Sequence, residues 1–323
     1  MPFTFADVLI LRYLIGDVDE NQTVKDFNLI NDSSELNWAF RSQVKKFVKR
    51  FIKDTYRNED TEWIRNLSEV VKKRNCTNVQ CHTYNIQTGY VECTHEYWRS
   101  NGKFAPNITL RLASGGYIGG GLYHSQNLEG ALTTLPGARI VCPSFADDAA
   151  GLLRTSMRSK GFTLFLEPKA LYNSVEAAAV VPEDFEVPFG KARIRREGSD
   201  LSIITYGNTT HFCLHAAERL EKEGGWKVEV IDIRSLIPLD KEAIFESVKK
   251  TSKALVVHED KVFSGFGAEL AAMISGEMFR YLDGPVQRVG STFTPVGFNP
   301  ILEKEILPDE AKIYEAARRL LEY

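Results

Sequence analysis

The sequence predicts an α/β fold with a largely parallel sheet, and three observations predict it. Short apolar, β-prone runs alternate with segments of helical spacing over residues 201–323, the pattern of βαβ units. A thinner version of the same alternation runs through residues 108–180. Nearly all the glycine of this 323-residue chain falls after residue 97, whereas residues 1–96 are rich in Asn, Lys and Glu.

The elements follow in order. Ile108-Thr-Leu-Arg-Leu112 and Arg139-Ile-Val-Cys142 read as strands, residues 146–158 as a helix and Thr163-Leu-Phe-Leu166 as a strand. About three strands are too few for an independent sheet, so something else must complete this unit. Residues 176–200, with Pro182, Pro188 and many charges, read as a connection. Leu201-Ser-Ile-Ile-Thr-Tyr206 is a strand closed by Gly207. Residues 209–223 set Phe212, Leu214, Ala216, Ala217 and Leu220 at helical spacing and stop at Gly224-Gly225. Residues 227–233 form a second strand, and Asp240 caps a helix over 241–250 whose apolar face is Ala243, Ile244 and Val248. A third strand at 254–258, a helix at 268–281, a strand at 286–289 and a helix at 309–321 complete the pattern. The chain therefore divides into an atypical segment 1–96, an α/β unit 97–180, a linker 181–200 and a complete α/β domain 201–323.

Composition narrows the function classes. A net charge of −3 and a pI near 6.1 argue against a nucleic-acid binder as a whole. No run of about 18 apolar residues suggests a membrane span, and Met1-Pro-Phe-Thr-Phe-Ala-Asp7 lacks the basic and apolar regions of a signal peptide. Five unevenly spread cysteines fit free thiols in a reducing compartment, which points to the cytoplasm, or the mitochondrial matrix in a eukaryote.

The run with most chemical content is Gly115-Gly-Tyr-Ile-Gly-Gly-Gly-Leu-Tyr-His-Ser-Gln126. Its glycines let backbone approach a ligand or subunit closely, and His124 can exchange protons near neutral pH. Other candidates have two readings each. His258 is either a satisfied strand-end histidine or an interface group, and His211 and His215, one helical turn apart, pack or hold a metal. Gly265-Phe-Gly267 either packs a helix on a strand or meets a phosphate. Cys142 and Cys213, in apolar surroundings, read as inert core thiols. Residues 35–57 read as an amphipathic helix, with seven Lys/Arg against Asp54 over 41–57, which is a solvated face or a nucleic-acid or membrane contact. Cys76, Cys81, His82, Cys93 and His95 offer zinc ligands or free thiols in a turn-rich hairpin.

Several blocks in order carry a family resemblance: Leu122-Tyr-His-Ser-Gln126, Pro136-Gly-Ala-Arg-Ile-Val-Cys-Pro-Ser144, Ala150-Gly-Leu-Leu153, Phe165-Leu-Glu-Pro-Lys-Ala-Leu-Tyr172, Glu197-Gly-Ser-Asp200, Val230-Ile-Asp-Ile-Arg-Ser-Leu236, Ser264-Gly-Phe-Gly-Ala-Glu269 and Pro308-Asp309. From about Tyr97 onward the sequence resembles the β subunit of the thiamine-diphosphate-dependent 2-oxoacid dehydrogenases, the E1 component. The Glu167-Pro-Lys-Ala-Leu-Tyr172 block looks more like the branched-chain than the pyruvate members.

The resemblance implies a transketolase-like fold, with a partial pyrimidine-binding domain followed by a complete C-terminal domain. It also implies an α partner in an α2β2 assembly that supplies the diphosphate and Mg²⁺ site, a lipoyl-bearing E2 partner and a small 2-oxoacid substrate. His124 matches the family's active-site histidine, which positions protons and guides the lipoyl group while the cofactor serves as electron sink. Backbone carbonyls of Ile108 and Thr109, with Pro106 nearby, and of Ser156, Ser159 and Gly161 match a structural K⁺ site; Ser159 and Gly161 replace the usual Asp and Asn. The family's glutamate that bonds the cofactor's aminopyrimidine has no counterpart here. Val8 stands where the resemblance places an aromatic ring against the pyrimidine, and about 90 residues separate it from Arg99-Ser-Asn-Gly102 where the family has a short span. The resemblance thus supports two readings, a working E1 β subunit or a non-catalytic, rearranged paralogue that serves in assembly.

Overall fold

The computed structural model describes Asn101, Lys103 and residues 107–323. Val8, Pro106, the amphipathic segment 35–57 and the Cys/His spacing at 76–95 lie outside the described residues. The described chain builds two sheets. Strand β1 (Ile108–Ser114) leads through the glycine-rich run into the short helices α1 (Gly121–His124) and α2 (Glu129–Leu132). Strand β2 (Arg139–Val141), helix α3 (Ala146–Arg158) and strand β3 (Phe162–Pro168) follow. The second series is β4 (Arg193–Arg196), β5 (Leu201–Thr205), α4 (Thr209–Gly224), β6 (Val228–Asp232), β7 (Ser235–Ile237), α5 (Lys241–Thr251), β8 (Ala254–Lys261), α6 (Phe266–Glu277), β9 (Gln287–Ser291), α7 (Pro300–Ile306) and α8 (Glu310–Leu321).

The first sheet has the order β1-β3-β2-β7 and the second β4-β6-β5-β8-β9. All pairings are parallel except β2 with β7 and β4 with β6, so each sheet carries one antiparallel edge strand. The missing fourth strand of the first sheet is β7, from the C-terminal part of the chain, with Ile140 paired to Ile237 and Val141 to Ser235. Three residues carry too little periodicity to be read as a strand, and β4 was hidden for a related reason. Its Arg-Ile-Arg-Arg composition follows salt bridges rather than alternation, and it falls inside the segment read as a linker.

Why the elements form is plain from their residues. Leu201, Ile203, Ile204, Val228, Val230, Leu255 and Val257 are fully buried, as central parallel strands covered on both faces must be. Helices α4 and α8 lay Cys213, Ala216, Ala217 and Leu220 against Ile313, Ala317 and Leu320 over those strands. The left-handed Gly225 (φ 73°) ends α4, and the Asp240 and Asp309 side chains accept from the third backbone N–H beyond them to start α5 and α8. Strand β8 runs to Lys261, three residues beyond the expected end. His258 therefore lies inside the strand and not at its tip.

A buried ionic network joins the two sheets. Asp148 on α3 meets the guanidinium groups of Arg195 on β4 and of Arg234, whose Nη1 lies 2.7 Å from Asp148 Oδ1. Arg195 also holds Asp232 of β6 at 2.8 Å and lies 4.0 Å above the Phe145 ring. Arg234 (φ 54°) caps the carbonyls of Lys191 and Ala192 at 2.8 and 3.1 Å. Both aspartates are fully buried, so removal of one leaves positive charge without its counterion. Asp148→Ala is expected to lower the unfolding free energy by about 3–5 kcal/mol. The exposed pair Lys241–Glu277 should tolerate Lys241→Ala at a cost of roughly 0–1 kcal/mol, measured by denaturant titration of the full chain.

Candidate active site

The glycine-rich run closes on itself, because the Gly115 N–H donates to the Gln126 carbonyl at 3.3 Å. Inside this ring the backbone donors need partners, and buried carboxylates from the C-terminal part supply them. Glu259, near the end of β8, accepts from the Gly116 N–H. Glu303, on α7, accepts from Ile118 N–H at 3.2 Å and from Gly119 N–H at 3.2 Å. The Tyr117 hydroxyl donates to the Pro308 carbonyl at 2.6 Å, and Lys261 Nζ donates to Gln126 Oε1 at 2.9 Å. Space explains the glycines: a Cβ at Gly115 would come within 2.6 Å of Glu259 Oε1, and one at Gly116 within 2.6 Å of Leu307.

His124 lies at the last position of α1, exposed to solvent. Around it stand exposed apolar side chains. Tyr123 is 90% exposed, and Ile118 and Leu122 are also open. Phe298 reaches the Gly121 backbone from the α7 side, and Ile301 and Leu302 continue the apolar surface.

Beneath the ring lies a group of buried acids. Burial, aided by Asp260, pushes Glu129 from an ordinary 4.5 to about 8; its Oε1 accepts from Asn127 at 2.9 Å and its Oε2 has no partner. Burial raises Glu259 to about 7, against the opposing effects of the Gly116 N–H and of Lys169. Asp260 is also raised by burial, although its oxygens accept from Gly130 and Lys261 N–H, both at 2.8 Å. The Tyr206 hydroxyl is buried near these acids, lacks a partner, and is pushed well above its usual range by burial. The acids were not singled out in the sequence. Glu259 and Asp260 follow an apolar run, and their backbone partners, Gly116 and Gly130, lie 143 and 130 positions away.

The other candidates separate. His258 is fully buried with both ring nitrogens unpartnered, so neither a satisfied strand-end role nor an interface role describes it. Burial drives it down to about 3, and it sits in a slot of glycines, where a Cβ on Gly267 would approach Nε2 to 2.2 Å. That contact favours helix–strand packing for Gly265-Phe-Gly267. His211 Nε2 bonds the Ser144 carbonyl at 2.8 Å and its ring meets Phe145, whereas His215 faces Glu176 at 3.6 Å. Among the described residues no cluster of three or more His, Cys, Asp or Glu could hold a metal ion. Cys142 and Cys213 are buried, free and raised by burial, as inert thiols are.

At the matched K⁺ positions, Ile108 N–H donates to the Gly161 carbonyl at 3.3 Å and Ser159 N–H to the Ser156 carbonyl at 3.3 Å. The end of α3 thus turns beside the start of β1, and each carbonyl keeps a second lone pair. A separate cleft of about 460 Å³ opens between α3, β3 and residues 171–178. It is apolar, lined by Phe145, Leu153, Phe165 and Leu171, with Arg111 and Tyr172 both donating to Glu167 on its polar side. Among the described residues Glu259 and Glu303 are engaged by backbone donors, and Glu129 and Asp260 lie buried below the ring, where only Glu129 Oε2 is without a partner. The described residues alone do not compose a thiamine site.

Known proteins resemble this chain in the same regions. Residues 90–175 match the transketolase pyrimidine-binding domain family, and residues 190–313 match the transketolase C-terminal domain family. The 2-oxoisovalerate dehydrogenase subunit beta of Bacillus subtilis is 40% identical over 227 residues, covering 70% of this chain and 69% of that protein. The pyruvate dehydrogenase E1 component subunit beta of the same organism is 38% identical over 226 residues, with 70% and 69% covered. Among solved structures, a split-gene transketolase in the form of an inactive beta4 tetramer superposes with a TM-score of 0.54 at 22% identity, covering 72% of this chain and 74% of that one.

The buried acids make stability depend on pH. Glu129 and Glu259 hold protons more tightly in the native chain than in the unfolded one, so their contribution is complete below about pH 4.5 and is lost as pH rises through 7 and 8. The unfolding free energy should fall between about pH 4.5 and 8, and level off above that, by an amount on the order of a few kcal/mol. Glu129→Gln should flatten much of that fall in urea titrations taken at several pH values.

Proposed function

For a chain that belongs to the transketolase-like family of 2-oxoacid dehydrogenase E1 β subunits, we propose the β-subunit role itself. It joins an E1 α subunit and thiamine diphosphate in oxidative decarboxylation of a 2-oxoacid, with transfer of the acyl group to the lipoyl group of an E2 partner. The observation that carries this reading is His124, presented to solvent at the lip of a rigidly fastened ring amid exposed apolar side chains. Exposed apolar surface of that kind fits burial against another subunit. The α subunit then supplies Mg²⁺ and the diphosphate contacts, while this chain supplies the His124 edge.

Within that reading His124 holds or gives up a proton at the subunit boundary and positions the incoming lipoyl group. A branched-chain 2-oxoacid is the favoured substrate, on the strength of the Glu167-Pro-Lys-Ala-Leu-Tyr172 block, which contributes to the apolar cleft. We place the protein in the cytoplasm, or in the mitochondrial matrix of a eukaryote, and no described helix is long and apolar enough to cross a membrane. K⁺ is the proposed ion at Ile108, Thr109, Ser156, Ser159 and Gly161. The alternative is a non-catalytic assembly subunit; what supports it is that Glu259 and Glu303 are both engaged by backbone donors of the ring.

Mixed with a cognate α subunit, thiamine diphosphate, Mg²⁺ and a branched-chain 2-oxoacid, the full chain should support reduction of an artificial electron acceptor. His124→Ala should lower kcat by about 10²–10⁴-fold without a change in Tm, because the side chain is exposed. Absence of both activity and α-subunit binding would sink the β-subunit reading; binding without activity or cofactor affinity by calorimetry would select the assembly role. Replacement of Na⁺ by K⁺ at equal ionic strength should raise Tm by about 2–4 °C, and an unchanged Tm would remove the ion site.

A further inference from the structure

We propose that the run from Gly115 to Gly121 is a backbone anion nest whose resident anion is the Glu303 side chain, and that Glu303 is thereby a positioning residue for His124. The role assigned to His124 rests on the β-subunit reading; the nest itself does not.

The backbone alternates in hand along this run. Gly115, Tyr117, Gly119 and Gly121 have φ of 85°, 61°, 63° and 62°, whereas Gly120 has φ −80° and neither Gly116 nor Ile118 is left-handed. Alternation of this kind turns successive N–H groups toward one side and makes a concavity that attracts anions. Glu303 fills it with both oxygens: Oε1 accepts from Ile118 and Gly119, and Oε2 from Gly119. The acid is 8% exposed, so the interaction is largely shielded from water.

Tyr117 is a non-glycine residue in the left-handed region, a conformation that needs support from its surroundings. Its support comes from the same side of the fold, through the hydroxyl bond to Pro308 and a ring contact with Phe212 at 5.3 Å. The ring is tied at its base between Gly115 and Gln126, and His124 lies within it. A change at Glu303 therefore reaches His124 through the backbone, with no contact between the two side chains required. Glu259 occupies the neighbouring donor, Gly116 N–H, and completes the filling of the nest.

Hydrogen–deuterium exchange of the full chain tests this directly. Glu303→Ala and the near-isosteric Glu303→Gln should each speed exchange at the Ile118 and Gly119 amides by about tenfold or more. Sodium acetate, but not sodium chloride at equal ionic strength, should restore protection in Glu303→Ala by placing a free carboxylate in the nest. If Glu303→Ala does not fold, Glu303→Gln decides the point through the same amides. Unchanged exchange in both variants overturns the proposal, as does acceleration in Glu303→Ala that acetate leaves untouched, which marks ordinary packing. In the complex with the α subunit, Glu303→Ala should lose kcat with KM unchanged and regain it in acetate. A wild-type complex without activity refutes the β-subunit reading, while the exchange measurements still judge the nest.

Discussion

Buried backbone N–H groups must be paired, and the ring that carries His124 meets that demand with carboxylates from distant parts of the chain. Glu259 arrives on β8 and Glu303 on α7, so the candidate site exists only after the second sheet and its following helix are in place. The cost appears in the same residues. Negative groups gather under one loop, and burial raises Glu129, Glu259 and Asp260 together. Lys169 and Lys261 offset part of that repulsion by their positive charge at Glu259, and Lys261 does so at Asp260 as well.

The apolar side chains near His124 belong to the same construction. Helix α7 presents Ile301 and Leu302 to solvent and Glu303 to the ring, so one short helix has an outer face for a partner and an inner face for the loop. Asn299 starts the helix by accepting from the Ile301 N–H at 2.9 Å, and Lys312 on α8 caps its last carbonyls, including Lys304 at 2.7 Å. A subunit seated on the outer face would press on the element that orients the ring.

Much of the second sheet was legible in the sequence because long helices and fully apolar strands leave strong periodic signals. Residues 201–206, 209–223 and 241–250 fall within a residue or so of the observed elements, and the caps at Asp240 and Asp309 follow from local chemistry. The flanking blocks are what single out His124 as a candidate. The acids were not, since Glu259 and Glu303 look like ordinary charged residues until the fold buries them. His258 was misread because β8 continues through Glu259 and Asp260, whose charges suggested a strand end while their burial permits a longer strand. Strand β4 escaped for the opposite reason, as its arginines are consumed by Asp147, Asp148 and Asp232.

Strand β7 has a consequence for how the chain acquires its shape. It joins Ile140 to Ile237 across almost a hundred residues, so the edge of the first sheet stays open until synthesis has passed β6. Closing so long a loop carries an entropic cost that the buried Asp148–Arg234 pair, next to β7 in sequence, helps to offset. Until then β2 presents unpaired backbone groups along an apolar strand, a template for pairing with another nascent chain. The edge of β2 is thus one that synthesis leaves open until residues 235–237 are made.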